Sequence, residues 1–390
     1  MARYDRIAPL PAPTRDRAFP AWLVLRDLEG RDRDVELARR VRLRFLALRP
    51  VRRLIRPGVD AVTAESFDRQ IEGVREELGH LGARDPERVR LARFLHQIRK
   101  RTPLAVTTAA LDMGEVIEAA GHPYGAEEFY RTALELADAH DLTPERVVAG
   151  RLLGRVYRKR AKWDEAVRAY RAASELALGL EGTEQWGRSM DGLAAAYREQ
   201  GRTDDARRVY REMLTRGRER DDEPLTSMAL IGLCLTEVEA GDYERAVEHG
   251  WAAFAHARDG EGRSAVLRGL GLAFAGVGLY RAAERCHQIV AERAADAETR
   301  VQALLDLARV AAHAGRPDVA RERLREAVGA ADRDASGALL GQADELLAEL
   351  ERGAAGEAVA GPAVRATGES TRRIAAEIEA LGTALVPASG

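Results

Sequence analysis

One pattern occurs six times in this 390-residue chain and restricts most of what it can fold into. In each copy a Leu or Met is followed by a small residue, seven positions later by Gly or Ala, and five beyond that by an alanine. The small residues are Gly114, Gly154, Ala194, Cys234, Gly271 and Ala308; the middle ones are Gly121, Ala161, Gly201, Gly241, Gly278 and Gly315. The alanines are Ala126, Ala166, Ala206, Ala246, Ala283 and Ala320, so the spacing runs 40, 40, 40, 37 and 37. A fixed period of this size marks stacked supersecondary units that bury a core only against their neighbours. Small residues at two fixed positions let two antiparallel helices approach closely. A Gly between them ends the first helix, because Gly takes a left-handed conformation without strain.

Helix signals agree with that reading. Thr102-Pro103 and Thr143-Pro144 each offer a capping hydroxyl ahead of a proline at the first helical position. Tyr157, Tyr197 and Phe274 in the first helices, with Tyr130, Tyr170 and Tyr210 in the second, supply large bodies to fill the space beside the small residues. Gly250, His287 and Leu324 take the place of those second-helix tyrosines in the later copies. Before the array, Phe67, Ile71, Val74 and Leu78 fall at helical spacing, and Asp85-Pro86 opens a helix carrying Leu91, Phe94, Leu95 and Ile98.

Segments Leu152 to Ala173 and Gly192 to Leu214 closely match the small/large pattern of the tetratricopeptide repeat (TPR) family, and the chain resembles that family from Pro103 to about Arg352. The resemblance implies an all-α fold, a TPR-type α-α superhelix that is a right-handed helical-hairpin solenoid. A period of 37 to 40 places it with the longer-period members found in bacterial regulators and cargo adaptors. The expected organisation is an irregular lead at 1–33, a basic helical region or degenerate repeat at 34–102, six repeats and a capping helix at 103–352, a Gly/Ala linker at 353–369, and an amphipathic tail helix at 370–390.

Chemistry is sparse. No phosphate loop, nucleophile elbow, HExxH or CxxC occurs, and two cysteines, Cys234 and Cys286, make neither a disulfide framework nor a thiolate metal site. His249 and His256 share a helix face without further ligands. No catalytic residue, metal or cofactor is expected, and the chain reads as a non-enzyme. The longest apolar run, Gly269 to Tyr280, is too short to cross a bilayer and the first residues lack the apolar core of a signal peptide, so the expected location is cytoplasmic.

A solenoid instead offers a concave groove lined by first helices. The outward positions there are Arg151, Arg155, Arg158 and Lys159, then Arg188 and Arg198, then Met228, Ile231 and Leu235, then Arg268 and Leu272, with Leu305 and Arg309 last. A cationic stretch thus precedes an apolar one. The arginines either fork onto carboxylates or a phosphate of a ligand, or pair with nearby acids of the chain. The two-carboxylate clamp of chaperone-binding TPR domains uses asparagine, and this chain has none.

The net charge of −2 is a cancellation, +9 over residues 1–103 against −11 over 104–390. Between Leu37 and Val59 stand eight arginines, among them Arg40, Arg42, Arg44 and Arg49, and no acid. This run docks on the acidic array, stays solvated, or contacts nucleic acid or anionic lipid. In the tail, Ile374, Ile378, Leu381 and Leu385 form a stripe that either fills the groove as a tethered ligand or packs on the array. The leading functional reading is a protein- or peptide-binding scaffold. The alternative is a ligand-sensing regulator that touches nucleic acid through its basic N-terminal region.

Overall fold

The computed structural model describes residues 35–55, 64–83, 85–257, 260–294, 296–334, 337–354 and 367–381. The expected lead at 1–33 and Leu385 lie outside them. Among the described residues every regular element is an α-helix. They group into two units, Met1–Gly192 and Leu193–Gly390, with the division inside one helix.

In the first unit, α1 (Val35–Leu54), α2 (Ala64–Leu78) and α3 (Pro86–Ile98) precede the hairpins α4/α5 (Pro103–Ala119, Pro123–Ala139) and α6/α7 (Thr143–Lys159, Trp163–Ala177). The third hairpin is α8/α9 (Glu184–Glu199, Thr203–Glu219), whose first helix spans the division. The second unit continues with α10/α11 (Glu223–Ala240, Tyr243–His256), α12/α13 (Gly260–Gly276, Tyr280–Arg293) and α14/α15 (Ala297–His313, Pro317–Asp334). It ends in α16 (Gly337–Ala354) and α17 (Glu369–Ala380). The change of period from 40 to 37 coincides with shorter second helices, 14 residues in α11 and α13 against 17 in α5 and α9.

The repeated residues do what their chemistry predicts. All six alanines, Ala126 to Ala320, are fully buried. The six turn positions all have positive φ: 79° at Gly121, 71° at Gly201, 74° at Gly241, 83° at Gly278, 72° at Gly315, and 52° at Ala161. Each turn is closed by the same bond, from the N–H one residue on to the carbonyl five residues before it: His122 to Ile117, Lys162 to Tyr157, Arg202 to Tyr197, Asp242 to Glu237, Leu279 to Phe274 and Arg316 to Ala311. This satisfies carbonyls that the helix end leaves open. A second series of left-handed residues, Arg101, Asp141, Gly182 and Asp221, closes the other ends. Only one of those four is Gly, which hides the series in the sequence.

Packing follows the small/large exchange. A Cβ on Gly114 would stand 2.4 Å from the Tyr130 ring, and one on Gly232 would stand 2.1 Å from Tyr210. Tyr170 lies across both Gly154 and Gly192. In the later repeats His287 fills the space over Gly271, and Leu270 the space over Gly250. First helices of successive hairpins also touch, α4 with α6 in the first unit and α10 with α12 and α12 with α14 in the second, so they form the inner layer.

Capping departs from expectation at two places. Thr102 precedes Pro103 in an extended conformation but accepts no capping bond, and Thr143 is the first residue of α6 rather than its cap. The chain enters each of those helices from a tight left-handed turn, at Arg101 and Asp141. Asp85, Asp222, Asp242 and Asp296 do cap α3, α10, α11 and α14 through their carboxylates.

Candidate functional site

On the inner layer of the first unit, one buried acid organises the basic residues. Glu118, near the end of α4, accepts from Arg155 at 2.7 Å, from Tyr130 at 2.9 Å, and pairs with Lys159 at 2.9 Å. Burial pushes its pKa up, but Arg155 and Lys159 more than offset this and hold the carboxyl below the usual carboxylate range. The same site pushes the Tyr130 phenol up, chiefly by burial and then by the Glu118 charge. Arg155 and Lys159 are therefore already engaged within the chain. Arg158 stands against the phenol of Tyr170, and Arg188 pairs with Glu184 one turn before it at 2.9 Å.

Arg151 differs from these. It is half-buried, makes no ion pair among the described residues, and its Nε is buried without a hydrogen-bond acceptor. Burial depresses its pKa, and the like charges of Arg155 and Arg188 depress it further, against a weaker opposing pull from the Glu115 carboxylate. A desolvated guanidinium beside two other cations is an incomplete interaction, since every buried donor left unmatched costs free energy. A carboxylate placed there would satisfy the fork and cancel the repulsion.

The second unit is different in character. Arg198 pairs with Glu239 at 3.0 Å, and Arg268 and Arg309 both pair with the buried Asp306, at 3.3 and 3.1 Å. Met228, Ile231, Leu235 and Leu272 are half-buried on α10 and α12. Leu305, an expected groove residue, is fully buried in the core instead. The tail stripe also lies elsewhere than on the first helices: Ile374 and Ile378 are buried and Leu381 half-buried against the second helices α11 and α13.

The acids Glu118, Glu237 and Asp306 escaped the sequence reading. Each is one buried carboxylate among apolar neighbours, and Glu237 is held by two bonds from Arg207, at 2.9 and 2.6 Å. The available signal was that an acid on a helix face destined for burial needs a cation opposite it. The N-terminal arginine run finds such partners too. Arg40 pairs with Asp85 and Glu87, Arg42 with Glu77, and the buried Arg44 with Glu87.

Both cysteines are buried. Burial pushes Cys234 up to about 12 and Cys286 up as well, so neither is a thiolate near neutral pH. Among the described residues no group of three or more His, Cys, Asp or Glu could hold a metal ion. No described helix is long and apolar enough to cross a membrane.

Residues 145–219, which span α6 to α9, match the family model described as tetratricopeptide repeat. No curated protein matches the chain. Solved structures with a similar fold include a Rap protein complexed with competence and sporulation factor, at 16% identity over 79% of this chain and 87% of that one, TM-score 0.47. They also include aspartyl phosphate phosphatase F from Bacillus subtilis, at 13% identity over 78% and 73%, TM-score 0.48. A third is the apo form of the quorum sensor NprR from B. thuringiensis, at 14% identity over 78% and 79%, TM-score 0.41. Residues 145–219 thus carry tetratricopeptide repeats, within a chain whose described residues fold as a series of Gly- or Ala-turned α-helical hairpins.

Proposed function

We propose that this is a cytoplasmic, non-catalytic scaffold that binds a protein or peptide through the inner face of its first helices, and that the face of the first unit takes an acidic segment. The observation that carries this reading is Arg151, a half-buried guanidinium with no ion pair among the described residues, set between Arg155 and Arg188. Arg155 and Lys159 belong to the support of that face, because Glu118 already holds them. Arg151 is the recognition group, with Arg158 and Arg188 beside it. Separately, the half-buried Met228, Ile231, Leu235 and Leu272 of the second unit suit aliphatic side chains of a ligand.

The test is fluorescence anisotropy of the full chain against matched peptide pools, one rich in Asp and Glu and one rich in Lys. The acidic pool should bind, more weakly as salt rises. Arg151→Glu should weaken it by about tenfold or more, as expected when a charge-assisted pair of about 1.5–3 kcal/mol is lost, with the thermal midpoint unchanged. Equal binding of both pools, or an indifferent Arg151→Glu variant, would overturn the reading. The nucleic-acid alternative has less to rest on, because Arg40, Arg42 and Arg44 are spent on Asp85, Glu87 and Glu77.

A further inference from the structure

α17 has 12 residues, and isolated helices below roughly 12 to 15 residues are marginal in water. What it touches must hold it. It lies against α11 and α13 with Thr371, Ile374, Ala375 and Ile378 buried, while Arg372, Arg373 and Glu377 are exposed. The buried positions fall at i, i+3, i+4 and i+7, a single stripe along one face.

Both ends of the helix are also met by side chains. Glu244 of α11 accepts from the N–H of Gly368, just ahead of the first turn, at 2.5 Å. Arg285 of α13 donates through Nε, at 2.9 Å, and through Nη2 to the carbonyl of Leu381, just past the last turn. A carboxylate at the N-terminus and a guanidinium at the C-terminus complement the helix dipole, and a helix laid in the opposite direction would meet the wrong charge at each end. An apolar floor with two charges matched to the two ends is the make-up of a binding site for a helix.

We propose that the cleft between α11 and α13 is a receptor for one short amphipathic helix of fixed polarity, and that residues 368–381 occupy it in cis as a separable ligand. This does not depend on the basic face of the first unit. Joined to α16 by a short stretch of chain, the tail is present at an effective concentration on the order of millimolar, so a free helix of the same pattern has to compete with it.

The experiment uses the full chain and a labelled synthetic peptide of residues 367–381. In the Ile374→Asp/Ile378→Asp protein the tail loses its stripe and vacates the cleft, so the peptide should bind about tenfold tighter than to wild type. Adding Arg285→Glu to that protein should reverse most of the gain, and a peptide carrying the two Asp substitutions should not bind. Equal affinity for wild type and the double variant, or no binding to a double variant whose circular dichroism matches wild type, would overturn the proposal. Should the double variant fold poorly, hydrogen exchange on wild type and on Arg285→Glu decides the matter. The 369–380 amides should exchange at least tenfold faster in Arg285→Glu with α11 and α13 unaltered; a tail that in wild type opens only together with α11 and α13 is core, and the idea falls.

Discussion

Glycines that look alike in the sequence are under different demands. Gly232 has the Tyr210 ring 2.1 Å from where a Cβ would sit, and that ring is almost fully buried and cannot retreat. Gly73, in the middle of α2, has nothing within 4 Å of that place. Alanine should therefore act in opposite directions at the two. Gly232→Ala is expected to lower stability by about 1–3 kcal/mol through overpacking, despite a better helix propensity. Gly73→Ala should raise it by about 0.5–1 kcal/mol. Urea midpoints of the two variants against wild type give the answer, and a shift of the same sign in both would refute the packing account. The turn residues follow another rule, in which φ rather than space decides. Ala161 keeps the left-handed turn that glycine makes in the other five repeats.

At the scale of the element, the residue that a second helix sets against a neighbouring first helix differs between repeats, and its identity alters the chemistry. Tyr130 finds Glu118, whereas His287 of α13, at the equivalent position, is fully buried with both ring nitrogens unbonded. Burial lowers its pKa; Asp306 opposes that shift while Arg268 and Arg309 add to it. The imidazole is therefore neutral in the folded protein and takes up a proton more readily when unfolded. Because the folded value lies below the ordinary one, the unfolded state binds more protons, and stability falls as pH drops below about 6.5. The loss is at most about 1.4 kcal/mol per pH unit. His287→Leu, which copies Leu324 of α15, should stabilise the protein by about 1 kcal/mol at pH 7.5, since it removes buried groups that make no hydrogen bond. It should also flatten the decline towards pH 5.5. Thermal midpoints at the two pH values check both parts, and a variant as acid-sensitive as wild type would show that another group titrates.

At the scale of the whole molecule, a repeat array has no single centre, so its stability is a sum of hairpins and their nearest-neighbour contacts. Gly114→Ala in the first unit and Gly232→Ala in the second share no partner. Their effects should add to within about 0.5 kcal/mol in a double-mutant cycle measured by urea unfolding. A coupling of 1 kcal/mol or more would contradict nearest-neighbour energetics. The charge of the molecule behaves in the same local way. Arg40 and Arg44 pair with Asp85 and Glu87 inside the positive N-terminal region itself, so these bonds hold that region together and leave its excess of charge over the acidic remainder unchanged.

The sequence alone was enough to establish the hairpins, their turns and the inward alanines. Those features depend on residues a fixed distance apart along one helix or one turn, where backbone conformation and side-chain size act locally. The six alanines and the left-handed turns needed no knowledge of what lies opposite. The pairing of charges and the seat of the tail could be decided only by the tertiary structure. Whether Arg155 is free or held depends on Glu118, 37 residues away, and whether the Ile374 stripe meets first or second helices depends on where the returning chain lies. Such contacts are set by distance in space between groups that the sequence does not bring together. For the same reason, Arg151 reads as one more arginine in the sequence and becomes a distinct site only when every other cation near it is seen to have a partner.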